Sequence, residues 1–131
     1  MTINIWIVLA ILAIHWVADL VCQTSWQAEN KSKTWEALLA HTVTYSLLWI
    51  FPIAALMATS NPEETRNWIG GHAFAFAIIT FACHTATDYY TSRVNSMLWE
   101  KKEVHNFFVS IGWDQLLHYI QLILTFYYLT N

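Results

Sequence analysis

The sequence predicts an all-α protein: a four-helix transmembrane bundle, up-down-up-down, with both termini on the outer side, forming a single domain over residues 1–131. Three observations lead there. The chain is 56% hydrophobic and 16% aromatic but only 11% charged, against roughly 25% charged in ordinary soluble domains. Its apolar runs are long enough for a helix to cross a hydrocarbon layer of about 30 Å. Three glycines and two prolines are too few for the many turns of a β-barrel, so helices are the expected spanning element.

The expected spans are 3–24, 34–58, 70–91 and 107–129. The first is not preceded by Lys or Arg and is followed by no small-residue cleavage pattern, so it is expected to stay as a membrane helix rather than leave as a signal peptide. The connections SWQAENKSK, TSNPEETRNWIG and SRVNSMLWEKKEVHN are short and polar, too small for a second domain. Loop one carries Lys31 and Lys33, loop three Arg93, Lys101 and Lys102, and loop two only Arg66. The positive-inside rule therefore puts loops one and three in the cytoplasm. Trp26, Trp35, Trp99 and Trp113 flank those loops as interfacial anchors would. Cys22 and Cys83 lack C-x-x-C spacing and are read as packing residues. The net charge of -3 is small and dispersed, with no basic stripe, which argues against a nucleic-acid partner.

The acidic residues are sorted by type. Glu occupies loops or span edges at positions 29, 36, 63, 64, 100 and 103, whereas Asp19, Asp88 and Asp114 all lie inside spans. Each Asp has a histidine four residues away, giving His15-x3-Asp19, His84-x3-Asp88 and Asp114-x3-His118. Residues at that spacing share a helix face. With alternating span directions these six residues and His41 all fall in the cytoplasmic half, about 5 to 17 Å below the boundary at the rise of an α-helix.

A carboxylate in a bilayer is costly unless it is paired, hydrated or bound to a cation, so such residues are functional candidates by default. The bland alternative is that they hydrogen-bond across helices and hold the bundle together. Three pairs and His41 at one depth favour metal binding. Four imidazoles and three carboxylates suit a divalent transition metal, zinc first, with manganese or iron as alternatives, and are numerous enough for one ion or two. The predicted ligands are His15, Asp19, His41, His84, Asp88, Asp114 and His118, with Asp19, Asp88 and Asp114 also candidates for a general base. Gln23, Tyr45 and Gln115 are expected to support them, and Thr80, Ser92 and Gln121 extend the same faces. His72 and His105 fall outside the predicted site.

The run HWVADLVCQTSWQAENKSK, His41-x3-Tyr45, HTATDYY and DQLLH resemble the small bacterial and phage membrane proteins of domain-of-unknown-function family 3307. The resemblance covers most of the chain and all three His/Asp pairs, with Leu20 standing where an aromatic is expected. It implies a bacterial inner-membrane location and supplies architecture more than activity. The H-x3-D pattern is also similar to inner-membrane proteins labelled metal-dependent hydrolases, an analogy of pattern.

The leading expectation is thus a membrane-embedded metal-dependent hydrolase taking a lipid or amphiphilic substrate from the cytoplasmic leaflet, alone or as an oligomer. An ion or proton path would need polar residues across the whole bilayer, but the outer halves IWIVLAILA, LLWIFPIAALM, AFAFAII and ILTFYYL are almost wholly apolar. Haem between facing histidines would not need a carboxylate beside each one. A small phage-type effector, such as an exclusion factor with a structural polar core, is the remaining alternative.

Overall fold

The computed structural model describes residues 3–60 and 69–131. Among them the chain is all-α, with no strand: α1 is Ile5–Trp16, α2 Ser25–Asn30, α3 Trp35–Ser60, α4 Ile69–Glu100 and α5 Val104–Thr130. The expectations for loop two, including Glu63, Glu64 and Arg66, fall outside the described residues.

The starts of α1, α2 and α3 have a local cause. Asn4 Oδ1 accepts from the Ile7 amide at 3.0 Å and caps α1, and Thr34 Oγ1 accepts from the Ala37 amide at 3.3 Å at the head of α3. These caps satisfy amides that have no partner in the first turn. At its far end α1 widens into a π-helical turn, Val17–Val21, whose centre is Asp19. The Cys22 amide there donates to the Val17 carbonyl at 2.9 Å, one residue further back than an α-helix would reach. Such turns interrupt a helix most often at functional positions.

Thr24 and Gln27 then form a reciprocal capping box that starts the short α2: Thr24 Oγ1 accepts from the Gln27 amide at 3.2 Å, and the Thr24 amide donates to Gln27 Oε1 at 2.9 Å. This helix turns the chain so that Lys31 and Ser32 face α4, where Ser96 Oγ donates to Ser32 Oγ at 2.8 Å. Helix α4 runs to Glu100, past the expected span limit at 91, because residues 92–100 contain no glycine or proline to stop it. Lys101 to Glu103 alone join it to α5, with Lys102 at φ 59°. The Glu103 amide closes on the Leu98 carbonyl at 2.9 Å and the Lys102 amide on Trp99 at 3.0 Å, a Schellman end with lysine where glycine is usual.

Helix α4 packs against both α3 and α5, and α1 closes on α5 and α3 from the other side. One end of the interior is apolar, built around Ile11, Trp49, Ile53, Phe76, Leu122 and Phe126. The rest of the interior is polar: His15, Asp19, His41, His84, Asp88 and His118 are all buried. Meanwhile Trp6, Phe51, Phe74 and Phe108 are 75%, 84%, 62% and 63% exposed, which inverts the usual partition of a soluble protein. Two helical stretches, Trp35–Thr59 and Ile69–Glu100, are long and apolar enough to cross a membrane, and Ile5–Val21 is a shorter apolar one.

Candidate metal centre

Four ligand atoms from three elements converge. Nε2 of His41, from α3, lies 3.0 Å from Asp19 Oδ1 on the π-turn. It lies 3.1 Å from Nε2 of His84 and 3.4 Å from Asp88 Oδ2, both on α4. His84 Nε2 is 3.5 Å from Asp19 Oδ1 and 3.7 Å from Asp88 Oδ2. A tetrahedral ion with bonds of about 2.0–2.1 Å holds its ligand atoms about 3.3–3.4 Å apart. The observed spacings bracket that edge length. Two neutral imidazoles and two carboxylates also cancel the charge of a divalent ion, so the donor set fits such an ion in both geometry and charge.

A second triad, Asp19, Asp114 and His118, offers ligand atoms within 4.8 Å of one another. His118 Nε2 is 3.1 Å from Asp88 Oδ1 and 3.4 Å from Asp114 Oδ1. Asp88 therefore turns Oδ2 toward the first set and Oδ1 toward His118, while Asp19 is common to both groups. The carboxylates are arranged to be shared.

His15 stands one step behind. Its Nε2 meets Gln115 Oε1 at 3.0 Å, and its Nδ1 meets the Tyr45 hydroxyl at 2.7 Å. An amide oxygen only accepts, so Nε2 carries the proton and Nδ1 accepts from the tyrosine. The predicted ligand His15 is thus hydrogen-bonded through both ring nitrogens, with Nε2 3.6 Å from Asp19 Oδ2. Gln115 acts as a brace: its Nε2 donates to Asp19 Oδ2 and Asp114 Oδ2, both at 3.2 Å. The Tyr45 ring stacks on His84 at 3.9 Å between centroids, and His84 Nδ1 is buried with no hydrogen-bond partner. Thr91 Oγ1 donates to Asp114 Oδ1 at 2.5 Å.

Of the sequence-predicted residues, Asp19, His41, His84, Asp88, Asp114 and His118 come together, and Tyr45 and Gln115 support them. Gln23 lines the same cleft as Asp19, with its Oε1 buried and without a hydrogen-bond partner.

The residue that sequence reasoning missed is Lys31. Its Nζ donates to Asp88 Oδ2 at 2.8 Å, from a side chain only 19% exposed. Burial works against its charge, but the Asp88 and Asp19 carboxylates outweigh that and hold its pKa above the ordinary lysine value. The readable signal was T-S-W-Q, a capping box just after span one, which predicts a helix that would turn Lys31 inward.

A model of the family described as "Protein of unknown function (DUF3307)" matches residues 7–131. The chain belongs to this family. The DUF3307 match takes in every residue of both ligand groups and their braces. No curated protein and no solved structure matches the chain.

Proposed function

We propose that this DUF3307 protein is a multi-pass protein of the bacterial inner membrane. It binds one or two divalent transition-metal ions, zinc first, and hydrolyses an ester in a lipid or amphiphile taken from the cytoplasmic leaflet. The observation that carries the reading is the convergence of Asp19, His41, His84 and Asp88 at tetrahedral edge lengths in a buried position. The membrane part is supported by the two long apolar helices and the outward-facing aromatic side chains. In this reading α1 with its π-turn, α3, α4 and α5 form the transmembrane bundle, loops one and three are cytoplasmic and both termini face outward.

The chemistry an ion held there would supply is a water acidic enough to ionise near neutral pH and polarisation of the ester. The chain does the rest. Asp19, His41, His84 and Asp88 would hold the ion, and Gln115, His15 and Tyr45 would fix the orientation of Asp19 and His84. Asp114, with 14% of its side chain exposed, would be the general base, its carboxylate oriented by Thr91 and Gln115. His118, between Asp88 and Asp114, would pass the proton on to the leaving group. The test is the metal content of intact protein purified in detergent and offered zinc, manganese and iron. Retention below about a tenth of an equivalent of every metal removes the hydrolase reading, because a closed N/O site of this kind binds tightly.

A second reading is favoured by one observation: Lys31 already neutralises Asp88, and each buried Asp has a hydrogen-bond partner. On that view the polar core is structural and the protein is a small membrane effector of phage-exclusion or ion-handling type. Replacing all three aspartates by Asn separates the two. An effector keeps its phenotype in that variant, and a hydrolase loses both ion and turnover.

A further inference from the structure

Beside the cluster lies a cleft of about 800 Å³, walled by the residues after α1, by loop residues 31–33, by the last turns of α4 and by the first turns of α5. Asp19, Asp114 and Gln115 belong to its wall, so the cleft leads to the ligand cluster. Three polar atoms of wall residues are buried with no hydrogen-bond partner: Gln23 Oε1, Ser92 Oγ and Asn95 Oδ1. Unsatisfied atoms of this kind are rare in folded chains, and three around one cleft point to an occupant that satisfies them.

The chemistry of the wall narrows the occupant. Whichever way the two amides are turned, a hydroxyl satisfies them and Ser92 alike, because it both donates and accepts. The wall carries Lys31 and Lys33 against Asp19, Glu29, Glu100 and Asp114, and Lys31, with Nζ at Asp88, is the cationic donor at its inner end. That acidic excess rejects a polyanion and leaves room for one anionic group only, at Lys31. Leu20, Trp99, Phe108 and Ile111 supply an apolar flank whose side chains are partly exposed.

We propose that the cleft binds a hydroxylated phosphoester headgroup carried on an apolar tail. The phosphoester faces Lys31 and the cluster, the hydroxyls face Gln23, Ser92 and Asn95, and the tail lies along Leu20, Phe108 and Ile111. This deepens the preceding reading and rests on it for the role of the cluster, but binding itself can be measured apart from metal and turnover.

The full chain in neutral detergent is titrated by calorimetry with dioctanoyl phosphatidylglycerol, dioctanoyl phosphatidylcholine, dioctanoylglycerol and glycerol phosphate, with metal content measured on the same samples. The phosphatidylglycerol is expected to bind saturably, and each of the other three at least about tenfold more weakly. Asn95→Leu is expected to weaken it by about tenfold with metal content unchanged, and Lys31→Met, which also removes the ion's competitor at Asp88, to weaken it by about tenfold at matched metal content. Ser92→Ala, which removes a single atom, serves should Asn95→Leu fail to fold. Equal binding of glycerol phosphate would make the ligand a water-soluble ester, equal binding of dioctanoylglycerol would make the cleft a merely apolar crevice, and equal binding of the phosphatidylcholine would remove the hydroxyl recognition. Each of these overturns the proposal, as does no saturable binding by protein with its full metal content. Lipid binding by protein that holds no metal upholds this proposal while ending the hydrolase reading.

Discussion

His41 and His84, on α3 and α4, direct the same kind of atom at each other: their Nε2 nitrogens are 3.1 Å apart, and both face Asp19 Oδ1. As a hydrogen bond the pair needs one nitrogen protonated and the other bare. As ligands, both lone pairs meet at one point. The second arrangement also explains why two carboxylates crowd the same spot, which like charges resist unless a cation sits between them.

The braces are expected to matter nearly as much as the ligands. Gln115→Leu removes the donor that holds Asp19 Oδ2 and Asp114 Oδ2 and the acceptor for His15. Loss of such an outer contact typically lowers metal affinity about 10- to 100-fold. Competition against a chromogenic chelator measures it; unchanged affinity would mean that Asp19 is held by packing alone.

Lys31 and a metal ion compete for the same oxygen, Asp88 Oδ2. Lys31→Met is therefore expected to raise metal affinity by up to about tenfold, since the ion no longer displaces an ammonium. The same titration checks it. A fall in affinity would show that Lys31 holds Asp88 in position for the ion rather than contesting it.

The α4–α5 turn stores strain at Lys102, φ 59°, where a side chain carries a cost that glycine escapes. Lys102→Gly is expected to stabilise the protein by about 0.5–1 kcal/mol after allowing for glycine's greater freedom when unfolded. The readout is the thermal midpoint in detergent. A lowered midpoint would contradict the Schellman reading of this turn.

Orientation has its own test. Single cysteines at Lys101 and Asn131, in a chain with Cys22 and Cys83 replaced by Ala, should react with an impermeant maleimide from opposite sides: Lys101→Cys from the cytoplasm and Asn131→Cys from outside. Labelling of both from one side would refute the proposed up-down-up-down path.

The all-α fold was legible because apolar runs and scarce Gly and Pro leave few alternatives. The cluster was legible because the three aspartates each carry a histidine one turn away, and the structure brings six of the seven predicted ligands together. His15 also lies 3.6 Å from Asp19 Oδ2, but its ring nitrogens meet Tyr45 and Gln115, partners that no spacing reveals. Lys31 was read as a topology signal because a lysine in a loop usually meets water. Its role depends on a six-residue helix and a serine–serine contact 64 residues apart in sequence.

The central claim is that side chains from separate helices close around a cation, and elemental analysis of the wild type beside His84→Ala tests it most directly. The wild type is expected to hold about one or two equivalents of a transition metal per chain, and the variant to lose most of it with helicity retained. Metal-free wild type after reconstitution, or equal metal in both proteins, would contradict it.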